Sequence, residues 1–437
     1  MTVRRDGTRR VAVIGAGYVG LPSAAVLAHL GHTVVCAEND PVRLAHLVAG
    51  RSPILEPGLE DLMAEGAARG SLTFVRSAAE AVEQAEFVFL CVPTPQGDDG
   101  SADLSYVTAA AEEIAPHLAP GAIVVNKSTV PVGTVSLVER VTGRDDITVV
   151  SNPEFLREGS AVHDSLHPDR LVVGSEDRSA ASAVGALFAA TGAPLIVTDA
   201  TTAETIKYAS NAFLATKLSF INEVAGLSEA VGADVRDIVL GLGYDKRIGF
   251  DFLRPGPGWG GSCLPKDTAA LVRMAEEAGY DFALLRGAIA GNEQQGQRVL
   301  AKVVAAAGGS VEGRPIAVWG LTFKAGTDDR RNSPALAVAH RLLGLGAVVR
   351  AYDPTVTPTA PAPGSDLSGM VLCGDLYEAA QGAAAVVVAT EWDEFRWADF
   401  AKVGDLMANR AVVDARNLLD PAALRRLGFS YTGIGRP

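Results

Sequence analysis

The sequence predicts an α/β chain in which two doubly wound parallel-sheet domains are joined by a helical domain with a long central helix. Three observations carry this expectation. First, RVAVIGAGYVG, a helical stretch and HTVVCAEND near the start are echoed by PIAVWGLTFKAG, SPALAVAHRLLGLG and AVVRAYDP, so each copy reads strand, turn, helix, strand, acid. Second, short continuous apolar runs alternate with helical patterns in both halves, as parallel strands buried on both faces require. Third, Thr201 to Val231 contains no proline and carries Ile206, Phe213, Leu214, Leu218, Ile221 and Leu227 at helical spacing.

Taken in order, the first strand runs into Gly15-x-Gly17-x-x-Gly20, which opens a helix. The first glycine permits a tight turn, the second lets backbone approach a pyrophosphate, and the third lets helix pack on strand. The helix N-terminus adds partial positive charge. Glu38 ends the next strand, where a carboxylate accepts bonds from ribose hydroxyls and repels a 2′-phosphate. This is a Rossmann-like domain over residues 1–200 with NAD, not NADP, as the expected cofactor. The echo continues from AAEAVEQAEFVFLCVPTP (78–95) to DLYEAAQGAAAVVVATEW (375–392), and from GAIVVNKST (121–129) to NRAVVDARN (409–417).

A second region, 201–302, opens with the long helix, about 45 Å by its rise and suited to join domains or subunits. After it, DKRIGFDFLRPGPGWGGSCLPKD (245–267) is rich in glycine and proline yet set with Trp, Phe, Cys and Lys, the texture of a functional loop. KDTAALVRMAEEAG then reads as a helix ending at Gly279. In the last region, 303–437, Gly320-Leu-Thr-Phe-Lys-Ala-Gly326 keeps the turn but fills it with bulky residues, so a smaller nucleotide is expected there. Lys324, Arg330, Arg331 and Arg416 either serve its phosphates and sugar or are solvated charges.

Composition narrows the function. The formal charge is −13 across 437 residues, which disfavours a nucleic-acid groove relying on broad positive potential. Four cysteines, at 36, 91, 263 and 373, have no CxxC spacing, so neither a zinc ribbon nor a disulfide framework is expected and a reducing cytoplasm fits. The basic MTVRRDGTRR followed by apolar residues superficially copies a signal peptide, but Gly15, Gly17, Gly20 and Pro22 interrupt the apolar stretch. No apolar run reaches membrane-spanning length, so a soluble protein is expected.

Among candidate reactive groups, Cys263 lies just outside a helix N-terminus marked by Pro265, where the helix dipole and Lys266 favour a thiolate. Asp267, early in that helix, either complements the dipole or takes part in chemistry. Lys207 and Asn211 share a face of the long helix, directed away from part of its apolar stripe. Such residues are usually solvated; they matter because a thiol needs a proton acceptor and oxyanion donors nearby. Glu154 and Glu158, beside Arg157, are indistinguishable locally from a charged helix face. Thr129 ends a strand at the edge where α/β folds place ligands. Cys36, Cys91 and Cys373 read as core thiols.

These residues resemble the nucleotide-sugar dehydrogenases of the UDP-glucose/GDP-mannose dehydrogenase family across nearly the whole chain. The match runs through VIGAGYVGLP, EPGL, CVPTPQ, NKSTVPVGT, NPEFLREG, PDRLVVG, the Lys207–Asn211 helix with INE, GWGGSCLPKD, GLTFKAGTDD, TEWDEF and DARN. The resemblance implies an NAD-dependent, metal-free, four-electron oxidation of a primary alcohol to a carboxylate, UDP-glucose to UDP-glucuronate. It assigns Lys207 and Asp267 to removal of the alcohol proton and Cys263 to a thiohemiacetal and then a thioester. Asn211 and Lys207 stabilise the oxyanion, and Glu154 with Thr129 directs hydrolysis.

The resemblance also matches Gly15, Gly17, Tyr18, Val19, Gly20, Glu38, Arg43, Thr94, Thr129, Glu158, Lys266 and Arg331 to cofactor contacts. It matches Glu154, Phe155, Leu156, Arg157, Lys207, Asn211, Phe252, Leu253, Gly260, Phe323, Lys324 and Arg416 to the nucleotide sugar. Arg247 matches an arginine that reaches a partner subunit's site, implying a homodimer. Three positions depart from the family pattern: Glu38 stands for the usual Asp, Asn332 for an acid, and Trp259 for Phe or Tyr. Lys266 and TEWDEF resemble the UDP-glucose branch, with GDP-mannose, dTDP-glucose and UDP-N-acetylhexosamine left open. A two-electron hydroxyacid dehydrogenase would need neither Cys263 nor the repeat, and a silent nucleotide-sugar sensor would need none of Cys263, Lys207 and Asp267.

Overall fold

Alternation within each short apolar run decides where the sheets lie. In RVAVI, Val11 and Val13 pack on one face of a sheet while Ala12 and Ile14 pack on the other. In PIAVW, Ile316 and Val318 divide in the same way from Ala317 and Trp319. Each fully buried Val or Ile contributes roughly 1.5–3 kcal/mol of transfer free energy, so strands this short are held by their two covered faces.

The computed structural model describes residues 7–97 and 100–436 and contains two compact units, Met1–Ser210 and Asn211–Pro437. Residues 1–6 of the basic N-terminal segment lie outside the described residues. The first unit holds β1 (Arg10–Ile14), β2 (Thr33–Ala37), β3 (Leu72–Val75), β4 (Phe87–Leu90), β5 (Ile123–Asn126), β6 (Thr148–Ser151), β7 (Leu171–Gly174) and β8 (Leu195–Thr198). They form one sheet in the order β3-β2-β1-β4-β5-β6-β7-β8. From β3 to β6 every pairing is parallel, with Val11 opposite Val34 on one side and Phe87 on the other.

The parallel expectation fails beyond β6. There β7 meets β6 antiparallel at the single pair Ser151–Gly174, while β7 and β8 are parallel to each other. Between the two strands the NPEFLREG segment leaves β6 as an irregular loop followed by the short Ala161–Leu166 helix.

The second unit repeats the design on a smaller scale. Its strands are β9 (Pro315–Trp319), β10 (Val348–Tyr352), β11 (Val371–Leu372), β12 (Ala385–Val388), β13 (Ala411–Asp414) and β14 (Ser430–Thr432). They pair in the order β11-β10-β9-β12-β13-β14, all parallel. Among the described residues, no helix is long and apolar enough to cross a membrane.

The long helix spans Ala200–Val231, 32 residues, or about 48 Å at the α-helical rise. Its buried face is not the apolar stripe that the spacing predicts. Small and polar side chains, Ala203, Glu204, Lys207, Tyr208, Asn211, Ala212, Ala215, Ser219, Asn222 and Ala225, are buried, whereas Phe213, Phe220 and Leu227 are exposed. Of the apolar residues read as its stripe, only Ile221 is fully buried.

Candidate active site

In the first unit the glycine turn has the geometry its three positions require. Gly15 adopts φ 98°, and a Cβ there would meet the Cys91 carbonyl oxygen at 2.6 Å. A Cβ on Gly20 would lie 1.8 Å from the Gly15 carbonyl oxygen, so helix and turn approach more closely than any side chain permits. Gly17 is different: a Cβ there meets no protein atom within 4 Å. Protein packing does not demand that glycine, and the open approach is what a pyrophosphate over the helix N-terminus needs. Tyr18 and Val19 complete the turn, with the Val19 carbonyl accepting from the Ser23 hydroxyl at 2.7 Å.

Glu38 follows β2 and is buried. It accepts from the Asp40 amide at 3.0 Å and lies 3.6 Å from the Arg43 guanidinium. Arg43 also donates to the Ala16 carbonyl at 2.9 Å, joining the acid to the glycine turn. The residues present therefore fit NAD, with Glu38 at the ribose position and the turn amides at the phosphates. Cys36 and Cys91 are buried beside this turn, and burial pushes both thiols well up from their ordinary value. They are core thiols, as is buried Cys373.

The second repeat explains its own missing fingerprint. Asp353 follows β10 as Glu38 follows β2, but its carboxylate is consumed within the protein. It accepts from the amides of Leu321 (2.7 Å) and Thr322 (3.1 Å), the Thr355 hydroxyl (2.7 Å) and the Trp392 indole (3.3 Å). The acid stitches the turn shut instead of facing a ribose. A Cβ on Gly320, the counterpart of Gly15, would clash with Thr390 at 2.3 Å, so the tight turn itself persists.

Also in the first unit, Glu154 and Lys207 form a buried pair at 2.8 Å. The other Glu154 oxygen accepts from the Leu156 amide at 2.6 Å. Burial pushes the Glu154 carboxyl upward, but the Lys207 charge and hydrogen bond, the Leu156 amide and nearby Lys127 together hold it below its usual value. It is held as an ionised carboxylate. Phe155 lies under Arg170, with the guanidinium 3.6 Å from the ring centroid, and Lys207 is 5.5 Å from the same ring. The charged-helix reading of Glu154 to Glu158 is overturned, because these residues form a loop. Arg157 is exposed and paired with Asp164 at 2.6 Å. Glu158 lies half-buried at the turn after it. Thr94 donates to the Thr129 carbonyl at 2.9 Å, and both residues are buried.

The second unit holds the thiol. Cys263 is the N-cap residue of the Leu264–Glu277 helix, with Pro265 in its first turn. Its sulfur is 3.4 Å from the Ser262 hydroxyl. Asp267, fully buried, receives the Asn211 amide at 2.5 Å on one oxygen and Lys266 at 2.5 Å on the other. Lys266, matched to the cofactor by resemblance, is thus committed to Asp267 here. The preceding loop is built tightly: Gly256 is held by Asn222 (2.9 Å) and Gln295 (2.8 Å), and the Trp259 indole donates to Ser219 at 2.9 Å. Leu253 is buried, and Phe252 takes φ 58°, a conformation that bulky residues adopt only when their surroundings impose it.

The remaining candidates of this unit fall at its sheet. A Cβ on Gly260 would meet the Asn332 carbonyl at 2.0 Å, and one on Gly261 the Phe323 ring at 2.9 Å, so the cysteine loop packs directly on the turn after β9. Lys324 lies 5.6 Å over the Phe323 ring, and Arg416 donates to the carbonyls of Phe323 (2.7 Å) and Ala389 (2.9 Å). Arg331 forks onto Asp329 at 2.8 Å. Asn332, the departure from an acid, has φ 48°, a left-handed conformation that asparagine tolerates. Arg247 stands apart, exposed and paired with Asp245 at 2.6 Å.

Sequence reasoning overlooked Lys127 and Glu204. Lys127 is buried, donates to Asn152 at 3.2 Å, and is held below the ordinary lysine value by burial, which Cys91 and Glu154 partly offset. A lysine closing the apolar run IVVN was the available signal. Glu204 had none, since an acid in the first turns of a helix is ordinary.

Models of the UDP-glucose/GDP-mannose dehydrogenase family match this chain in three stretches. Its NAD binding domain matches residues 9–191, its central domain 201–294 and its UDP binding domain 317–421. The chain belongs to the UDP-glucose/GDP-mannose dehydrogenase family. Among its relatives, a UDP-glucose 6-dehydrogenase of Pseudomonas aeruginosa is 45% identical over 98% of each chain. One of Rhizobium meliloti is 46% identical over 98% of this chain and 100% of its own. The solved UDP-glucose dehydrogenase of Pyrobaculum islandicum superposes with a TM-score of 0.89 at 36% identity, covering 100% of both chains. The NAD binding match contains the glycine turn, Glu38 and the Glu154 loop, and the central match contains Lys207, Asn211, Cys263 and Asp267. Family membership thus accounts for the open glycine in the first repeat and the closed turn in the second.

Proposed function

We propose that this protein oxidises UDP-glucose to UDP-glucuronate, transferring four electrons to two molecules of NAD per sugar. The observation that carries the reading is Cys263 at a helix N-terminus with the Asp267–Asn211–Lys266 cluster on the following turn. NAD, when bound at the Gly15–Gly20 turn, supplies a hydride acceptor for each of the two oxidations. The Asp267 carboxylate takes the proton of the C6 alcohol through a water that it shares with Lys207, whose positive charge favours the alkoxide. The Cys263 sulfur then bonds to the aldehyde carbon, and the amide of Asn211 with the ammonium of Lys207 stabilises the oxyanion of the thiohemiacetal. Oxidation of that adduct leaves a thioester. Glu154, ionised and aided by Thr129, takes a proton from the water that cleaves the carbon–sulfur bond, returning the Cys263 thiolate and releasing the carboxylate.

Phe155, Leu156, Arg157, Phe252, Leu253, Gly260, Phe323, Lys324 and Arg416 surround the nucleotide sugar in this reading, and Thr94, Glu158, Lys266 and Arg331 the cofactor. Three domains, 1–200, 201–302 and 303–437, divide the work, in keeping with the three family stretches. The working unit is a cytoplasmic homodimer to which Arg247 contributes across subunits. The exposed Phe213, Phe220 and Leu227 support it: they recur every seven residues on the long helix and so form a continuous apolar stripe. Counting NADH released per sugar consumed, with UDP-glucose, GDP-mannose, dTDP-glucose and UDP-N-acetylhexosamines in parallel, tests the reading. Two NADH with UDP-glucose is the expected result; one per sugar, or preference for another sugar, would replace it.

A further inference from the structure

The loop that carries Thr129 is fastened from several sides. Ser128 donates to the carbonyls of Leu90 (3.2 Å) and Val92 (2.8 Å), and Thr94 donates to the Thr129 carbonyl at 2.9 Å. The far end of the loop enters the Thr134–Thr142 helix through Gly133, at φ 94° and with no side chain to cap it. First-turn amides need an acceptor. It comes from a distant segment: Glu204 takes the Gly133 amide at 2.7 Å on one oxygen and the Val135 amide at 3.1 Å on the other. Glu204 is buried on the long helix, three residues before Lys207.

Three other helices of the same unit are capped differently. Asp40, Ser77 and Asp177 each cap their own helix locally. A local Ser or Asp would have satisfied the Thr134–Thr142 helix at less desolvation cost, since burial pushes the Glu204 carboxyl up to about 7 against the pull of the Gly133, Val135 and Thr134 amides. A remote carboxylate achieves what a local cap does not, by joining two elements. The same device recurs after the Glu154 loop. There Glu56, also buried and distant in sequence, takes the amides of Gly159 (2.8 Å) and Val162 (3.4 Å) at the start of the Ala161–Leu166 helix. Within the first unit, the helices that follow the Thr129 and Glu154 loops are therefore both capped by glutamates from elsewhere.

We propose that Glu204 is a positioning residue for the reaction, tying the helix turn that carries Lys207 to the loop that carries Thr129. It touches neither substrate nor cofactor and acts through those two residues. The proposal rests on the reading of Thr129 and Lys207 as members of the active site. Gln in place of Glu204 keeps the shape but offers one acceptor where two amides converge, so the loop is released from one of its anchors.

The test is a double-mutant cycle with purified full-length T129A, E204Q and T129A/E204Q, assayed for NADH formation from UDP-glucose and NAD, with circular dichroism to establish folding. E204Q is expected to lower kcat about tenfold or more while changing KM for either substrate less than about threefold. T129A/E204Q is expected to match T129A within about threefold, because the two residues act through one loop. Full kcat in folded E204Q, or losses that multiply in the double variant, would overturn the proposal. If E204Q does not fold, E204D, which keeps the charge on a shorter arm, carries the same comparison; failure of both to fold would assign Glu204 to stability alone and overturn the proposal. A wild-type enzyme that yields fewer than two NADH per sugar, or a fully active T129A, instead indicts the underlying functional reading.

Discussion

Replacing Lys207 with Met removes one partner of the buried pair with Glu154. The two side chains are each 4% exposed and 2.8 Å apart, and Met fills much of the lysine stem's volume. What remains is a buried carboxylate with the Leu156 amide and Lys127 for support. Breaking a buried pair this way costs about 3–5 kcal/mol, and the surviving partners place the expected loss near 3 kcal/mol at pH 7. For a unit of this size that corresponds to a fall of about 6–12 °C in melting temperature.

The pH dependence gives the sharper test. In the wild type the Glu154 carboxyl is held below its usual value, so its stabilising contribution is present above the unfolded carboxyl pKa and lost as pH falls through the lower folded one. Without Lys207, burial dominates and the folded pKa rises above the unfolded one, which reverses the sign. The variant should then lose stability relative to the wild type as pH rises from about 4.5 toward 7. Calorimetric melting of both proteins at pH 5 and pH 7.5 reads this directly. A deficit that is equal at both pH values would refute the argument that Lys207 is what keeps Glu154 charged.

Other consequences follow from the same geometry. Gly17→Ala should weaken NAD binding about tenfold or more with little change in melting temperature, since its Cβ meets no protein atom, whereas Gly20→Ala should fail to fold normally because its Cβ would lie 1.8 Å from a carbonyl oxygen. Fluorescence titration with NAD and thermal melting separate the two. Glu204 has its carboxyl raised from 4.5 to about 7 by burial, so the native state binds its proton more tightly than the unfolded chain and stability declines as pH rises through that window. The melting temperature of E204Q relative to wild type should therefore climb from pH 4.5 to 7, and a flat difference would contradict the titration. For the proposed homodimer, Phe220→Glu should shift the protein toward monomer in analytical ultracentrifugation and lower activity with it, because it places a charge in the middle of the exposed stripe; an unchanged sedimentation coefficient would remove this stripe from the interface.

The sheets were legible because both faces of each strand are covered, which leaves apolar runs such as RVAVI and PIAVW unbroken by polar residues. The glycine turn and Glu38 were legible because backbone sterics leave few alternatives at Gly15 and Gly20. The buried face of the long helix was not. Periodicity identifies an apolar stripe, but here only its Ile221 is fully buried and its Phe213 and Leu227 are exposed, while Lys207, Asn211 and Glu204 are buried. A buried face made of small and polar side chains has the same period as an apolar one, so spacing alone does not distinguish them. Lys127 and Glu204 depend on partners 25 and about 70 residues away, a relation that no local pattern encodes. The reversal at β7 likewise lies in a strand pairing, Ser151 with Gly174, that the residues of the intervening loop do not encode.

In the proposed reaction Cys263 carries the sugar's acyl group between oxidation and hydrolysis. Glu154→Gln keeps a hydrogen-bonding group opposite Lys207 but removes the carboxylate proposed as the base for thioester hydrolysis. Incubating that variant with UDP-glucose and NAD, quenching in acid and measuring the intact mass should reveal the mass of a UDP-glucuronyl group on the Cys263 peptide, released by hydroxylamine. An unmodified Cys263 in enzyme that has already formed two NADH per sugar would contradict the account.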